Sequence, residues 1–273
     1  MFVYVLCYGF LINIINMPFD KGANIEGSKY AYKNLKNELD FIKTNKVINV
    51  KNCDTNFYRN IFNDAFMGCW NTLNEDKMPL LIGGDHSCVI SSIFASNEFC
   101  LMNNHKLGVL WFDAHADFNT VETSPSGNIH GVPVSVLCGH TLPYLSYGKY
   151  LYPDQFLYYG VRDIDSLEFS RFQDYNMNFI DYNSLIDYQM IEVHNWMSNF
   201  DKIHISFDMD CLDPKDFCGI NTPVKNGPKY EDVMNILQEI KKTKKLVSMD
   251  LVEYNPTINN NNSAVLDVLK QIF

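Results

Sequence analysis

The chain repeats one pattern: an apolar run of strand length that closes on acids or histidine. Such runs occur at 3–15, 79–82, 107–112, 156–161, 203–207 and 246–252. Between them, segments 28–43, 57–74, 87–100 and 229–241 carry apolar residues at helical spacing. Strands with apolar residues on both faces belong to sheets covered on both sides. Alternation of strand and helix gives βαβ units and parallel strands. The expected fold class is therefore α/β, a three-layer α/β/α sandwich with a central parallel sheet, as a single domain over 1–273. Five of the runs end as LLIGGDHS, LWFDAHAD, YYGVRDID, ISFDMDCLDP and VSMDLVEYNP. Parallel α/β sheets bind ligands beyond the carboxyl ends of their strands, so these five ends point to one shared site.

The chemistry begins with WFDAHADFNT at 111–120. Asp113, His115 and Asp117 are each separated by one residue, and on an extended backbone alternate side chains share a face. Asp208 and Asp210 in SFDMDCLDP repeat the spacing. His86 follows Gly83 and Gly84, which allow a tight turn and a close backbone approach. Together these are four carboxylates and two imidazoles. Four acids in one site repel and raise one another's pKa unless cations sit among them. Two divalent metals would balance them. An oxygen-rich donor set with some imidazole suits Mn²⁺, Mg²⁺ or Fe²⁺ better than structural zinc.

Charge and cysteine content narrow the class further. The net charge of −10 opposes a nucleic-acid partner and suits a cationic ligand. None of the eight cysteines forms a CxxC pair, so they read as reduced, mostly buried thiols of a cytoplasmic protein. Cys211, beside Asp210, is the thiol expected to be most open to oxidation. The uncharged start MFVYVLCYGFLINIINMP lacks a basic n-region and is interrupted by Asn13 and Asn16. It reads as a buried first strand rather than a leader or membrane anchor.

GGDHS, WFDAHADFNT, SGNIHG and SFDMDCLDP, in this order, resemble the ureohydrolase superfamily, and within it the arginase family. The resemblance runs from MPFDKG at 17–22 to VEYNP at 252–256. It implies a binuclear Mn²⁺ hydrolase, two ions per subunit, that cleaves a guanidinium to urea and an amine by attack of a metal-activated hydroxide. One ion would take His86, Asp113, Asp117 and Asp208. The other would take Asp113, His115, Asp208 and Asp210. His130 in SGNIHG resembles the proton shuttle to the leaving amine, and a histidine titrates in the right range for that work. Asp117 would hold the hydroxide, and Glu253 in VEYNP would face the substrate guanidinium.

Substrate recognition also follows the resemblance. Asn119, Ser126 and Asn128 match the readers of an α-carboxylate, and Asp165 and Glu168 match positions near an α-amino group. The latter two also read as an N-terminal helix cap. These matches favour L-arginine, giving L-ornithine and urea, over agmatine, guanidinobutyrate or a formimino compound. The alternative from a different class is a non-catalytic metal-binding regulatory protein. Thr222 matches an active-site threonine, but Asn221 stands where the family usually has Gly; asparagine tolerates left-handed backbone. The segment from Gly139 to Tyr158 is short for the family, which would reshape the rim of the site. The resemblance also implies a homo-oligomer, a trimer or hexamer; no membrane partner is expected, because no other stretch of the sequence approaches transmembrane length.

Overall fold

The computed structural model describes residues 11–51, 53 and 58–273. Eight parallel strands form one sheet: β1 (Ile12–Asn16), β2 (Thr44–Asn49), β3 (Met78–Ile82), β4 (Leu107–Phe112), β5 (Phe156–Tyr159), β6 (Asn178–Ile180), β7 (Lys202–Asp208) and β8 (Leu246–Val252). Their order across the sheet is β2-β1-β3-β8-β7-β4-β5-β6. The six runs read from sequence became the six inner strands. The two strands not anticipated, β2 and β6, are the two edges. Five of the six residues of β2 are exposed, so it never needed an apolar run. Residues 1–10, which include most of the first apolar run, lie outside the described residues.

Among the described residues eight α-helices cover the sheet: α1 (Ala31–Leu35), α2 (Tyr58–Asn74), α3 (Val89–Met102), α4 (Pro133–Leu137), α5 (Ser166–Asp174), α6 (Ile186–Met197), α7 (Tyr230–Thr243) and α8 (Ser263–Ile272). Alternation along each strand divides the core into two layers. Leu110, Phe112, Ile205 and Phe207 face α6, α7 and α8, while Val109 and Trp111 face α2, α3 and α4. The helix expected over 28–43 stops at Leu35, and the chain then turns into β2. The 139–158 segment packs back on α4, where Leu151 N–H donates to the Leu137 carbonyl at 2.9 Å.

One strip of the inner sheet is polar though fully buried. On the α3 side, His204 and Ser206 of β7 lie in register with Ser248 and Asp250 of β8. His204 Nδ1 meets Ser248 Oγ at 2.7 Å, and its Nε2 meets Asp250 Oδ2 at 2.8 Å. From α3, Ser92 donates to Asp250 at 2.6 Å, and Ser96 pairs with Ser248 at 2.7 Å. Buried polar groups need partners, so this strip holds α3 in one register over the two central strands. The next polar side chain up β7, Ser206, reaches the site itself.

The turn after β3 depends on Gly84. A Cβ there would collide with the backbone carbonyl of Phe19, because Asp85 N–H donates to that carbonyl at 2.9 Å. The Gly84 carbonyl in turn accepts from Glu253 N–H at 2.8 Å. Gly84→Ala is expected to cost about 2 kcal/mol or more, because backbone rather than a side-chain tip must move. Thermal denaturation of the variant checks this; an unchanged midpoint would mean that the 17–20 segment yields freely.

Candidate metal centre

All five strand ends meet above β3, β8, β7, β4 and β5, at the centre of the sheet. The acids do not converge by strand alternation, as the sequence suggested. β4 ends at Phe112, and Asp113 begins a turn. Asp113 Oδ1 accepts from His115 N–H at 2.7 Å, and Asp208 Oδ1 accepts from Asp210 N–H at 2.7 Å. Asp85 Oδ1 accepts from Ser87 N–H at 3.0 Å. The same device thus appears at three strand ends: a carboxylate binds the amide two residues on, closing an Asx turn. Asp117 then takes a left-handed conformation, φ 49°, which swings its carboxylate back toward His86.

Two groups of side chains offer donor atoms within 4.8 Å of one another: His86, Asp113 and Asp208, and then Asp113, His115 and Asp210. Asp113 belongs to both. His86 Nδ1 lies 3.0 Å from Asp113 Oδ2, 3.1 Å from Asp117 Oδ2 and 3.0 Å from Asp208 Oδ2. It nevertheless makes no hydrogen bond with any of them. A buried ring nitrogen that faces three carboxylates off the hydrogen-bonding direction has the geometry of a shared cation ligand. The opposite nitrogen is fixed: His86 Nε2 meets Ser206 Oγ at 2.9 Å, and the ring stacks on Trp111 at 4.3 Å. Such outer partners set which nitrogen faces the metal. His115 Nδ1 stands 3.1 Å from Asp210 Oδ2 and 3.4 Å from Asp113 Oδ1.

Electrostatics point the same way. Burial, then Asp210 and Asp113, hold Asp208 far above the usual carboxylate range. Burial and Asp113 push Asp117 up to about 6. Burial also raises Asp210. Asp113 is held low in spite of its burial, because His86 and His115 flank it. Both imidazoles are raised against their own burial by these acids, Asp113 foremost for His86 and Asp210 for His115. The protein's own two imidazoles are too few cations for four acids. The donor set, the unpaired Nδ1 and the charge balance all fit divalent cations held by His86, Asp113, His115, Asp117, Asp208 and Asp210.

A cleft of about 240 Å³ is lined by His86, His115, Asp117, Asp208 and Asp210, while Asp113 is fully buried and does not line it. Asn119, Ser126, His130, Asp165, Glu168, Thr222 and Glu253 all reach it, and Asn128 does not. No residue of 139–158 lines it. His130 Nδ1 is 3.5 Å from Glu253 Oε1, and Thr222 Oγ1 donates to Asp210 Oδ2 at 3.0 Å. Asn119 spends its amide internally, donating to Asp165 at 3.0 Å and accepting from Thr123 at 2.9 Å. Asp165 is the N-cap of α5, so the helix-start reading holds alongside its place in the cleft.

Several contributors escaped the sequence reading. Ser124, Pro125, Gly131 and Asp163 also line the cleft. Arg162 donates to the carbonyls of Asp210 at 2.9 Å, Cys211 at 3.1 Å and Val224 at 2.8 Å, tying two site loops together. The RDID stretch carried that signal, but only its acids were read. Two expectations are corrected. Asn221 does not use left-handed backbone; its side chain is what the fold employs. Cys211 is fully buried, its thiol pushed far up by burial and aimed at the Tyr159 carbonyl at 3.4 Å, so it is shielded from oxidation. Cys69, Cys88, Cys100, Cys138, Cys211 and Cys218 are free thiols, and Cys7 lies outside the described residues.

The architecture defines a class: a parallel α/β protein whose strand ends build a carboxylate–imidazole cradle that could hold metal ions. Comparison with known proteins is specific. A family profile described as Arginase family matches residues 11–271. The arginase of Entamoeba histolytica is 39% identical over 189 residues, covering 67% of this chain and 64% of that protein, just under two thirds of its length. An arginase of Staphylococcus aureus strain COL is 32% identical over 258 residues, 89% of this chain and 78% of the other. The crystal structure of E. histolytica arginase in complex with L-ornithine superposes with a TM-score of 0.86 at 28% identity, covering 97% of this chain and 99% of that one. The chain belongs to the arginase family. Among the described residues no helix is long and apolar enough to cross a membrane.

Two outcomes are expected. Asp113→Asn removes a donor common to both groups and should abolish tight binding of both metal equivalents. His115→Ala should leave one. Elemental analysis after dialysis against Mn²⁺ counts them. Separately, burial pushes the Glu168 carboxyl up to about 7, against the Phe118 N–H that it accepts at 2.7 Å. Its folded pKa lies above its unfolded value of about 4.5, so the unfolded chain releases its proton first as pH rises. This group's contribution to stability therefore falls between about pH 4.5 and 7 and is flat above. Glu168→Gln should remove about 2–3 kcal/mol of that fall in urea denaturation across the window; parallel curves would contradict it.

Proposed function

We propose that this protein is a hydrolase of linear amidines that converts L-arginine and water to L-ornithine and urea, with Mn²⁺ as the metal. The observation that carries the reading is a small cleft lined by five of the six cradle residues together with His130 and Glu253. When bound between His86, Asp113, His115, Asp117, Asp208 and Asp210, two divalent cations supply a water ionised near neutral pH and charge to meet the developing anion.

The chain's own groups do the rest. Glu253 presents a carboxylate to the planar guanidinium, which can pair with it through two N–H donors. His130, which lines the same cleft, carries a proton on its imidazole. Burial opposes that proton, but the Glu253 contact and the nearby Asp117 hold its pKa up at about 9. The proton passes to the departing amine nitrogen as the C–N bond breaks. Thr222 steadies Asp210 through its hydroxyl. Asp165, Glu168 and Ser126 line the same cleft; by the family resemblance the two acids would lie near an α-amino group and the Ser126 hydroxyl near an α-carboxylate.

A second reading, agmatine, draws on a specific observation. The Asn119 amide is already paired, and Asn128 stands off the cleft. Agmatine keeps the amine but lacks the carboxylate those residues would read. Urea release from arginine and agmatine, side by side with Mn²⁺, is the deciding measurement. A kcat/KM at least about tenfold higher for arginine, about 1.4 kcal/mol of discrimination, is expected. A preference for agmatine would reassign the substrate, and urea release unaffected by chelation would remove the metal from the reaction.

A further inference from the structure

Asn221 precedes Thr222 and is nearly buried, yet it does not line the cleft. The orientation of its amide is fixed from a distance. Thr257 donates to Asn255 Oδ1 through its N–H at 2.9 Å and its hydroxyl at 2.6 Å. Asn255 must then turn its Nδ2 toward acceptors, the Glu26 carbonyl at 3.0 Å and Asn221 Oδ1 at 2.7 Å. That leaves Asn221 Nδ2 facing the opposite way, where it donates to the Ile25 carbonyl at 3.2 Å and to Glu253 Oε2 at 3.4 Å. The other oxygen, Glu253 Oε1, accepts from His86 N–H at 3.0 Å. Each oxygen of the carboxylate thus accepts one N–H from a different loop, and His130 Nδ1 stands a further 3.5 Å from Oε1. Glu253 itself sits at φ 62°, a conformation that a non-glycine residue keeps only when its surroundings impose it.

We propose that Asn221 is a positioning residue that sets the plane of the Glu253 carboxylate for the incoming guanidinium; this rests on Glu253 as the guanidinium-facing acid. An amide is suited to the task because it holds the carboxylate without cancelling its charge. A lysine or arginine there would compete with the cationic substrate. Pre-orientation spares the rotational freedom that pairing would otherwise remove. The same amide ties the 25–27 segment to the site through the Ile25 carbonyl, so two loops and the acid move as one unit.

The test uses Asn221→Ala and Asn221→Gly, the second carrying the residue usual in the family and so the lesser risk to folding. For the guanidino substrate, KM should rise about fivefold while kcat stays within about twofold, as for an interaction felt equally before and during the reaction. Calorimetric titration of guanidinium chloride into the wild type, Asn221→Ala, Glu253→Gln and the double variant gives a cycle. Asn221→Ala should weaken binding about fivefold in the wild-type background and less than about twofold in the Glu253→Gln background. Equal losses in both backgrounds, or no loss in either, would overturn the proposal. A wild type that binds guanidinium but releases no urea would overturn only the proposed function. One that releases urea from arginine but binds no guanidinium would overturn the Asn221 proposal alone.

Discussion

Four carboxylates buried within reach of one another cannot all stay ionised unless positive charge lies between them. The rest of the structure is arranged around that constraint. Asp113 stands at its centre, bonded to the Trp111 indole at 2.9 Å and to the His115 amide, with an imidazole on either side. Arg162 brings a guanidinium close to Asp210 but commits it to backbone carbonyls, so it braces the turn and leaves the acids unpaired. A fold that brings acids together and spends its nearest arginine elsewhere has left the cation to come from solution.

The cleft is divided by charge. One wall is the cradle. Beside it, Glu253 accepts an N–H from the His86 backbone on one oxygen and from the Asn221 amide on the other, with His130 3.5 Å from Oε1. Farther out, Asp165 and Glu168 extend the acidic lining from the start of α5. The net charge of −10 indicated the sign of the ligand, but not the place where it would be read. The buried strip of His204, Ser248 and Asp250 carries polarity down through the sheet and fixes α3, whose approach turn bears His86.

The legibility of the fold followed burial. Inner strands had to be apolar on both faces, and all six could be read as runs. β2 and β6 lie at the edges and carry no such obligation, so they were missed. The helical spacing after Ser28 ran on past the real end at Leu35, since apolar spacing does not say where tertiary contacts stop. In the site, residue types and spacing located the cradle residues, but the reason offered for their convergence was wrong. Spacing of two can mean alternation along a strand or an Asx turn, and only the fold chose the turn. Cys211 looked reactive beside an acid, and its burial under Gly160 was invisible in one dimension.

By itself the sequence determined the layered parallel architecture, the strand ends that carry the chemistry, and the need for cations among the acids. Each follows from local composition: apolar content sets burial, and charge demands compensation. Only the tertiary structure decided how that chemistry is aimed. The left-handed turn at Asp117, the anchoring of His86 by Ser206, and the chain from Thr257 through Asn255 and Asn221 to Glu253 all depend on contacts made in space. Hydrogen-bond direction depends on where both partners stand, and no spacing along the chain encodes it.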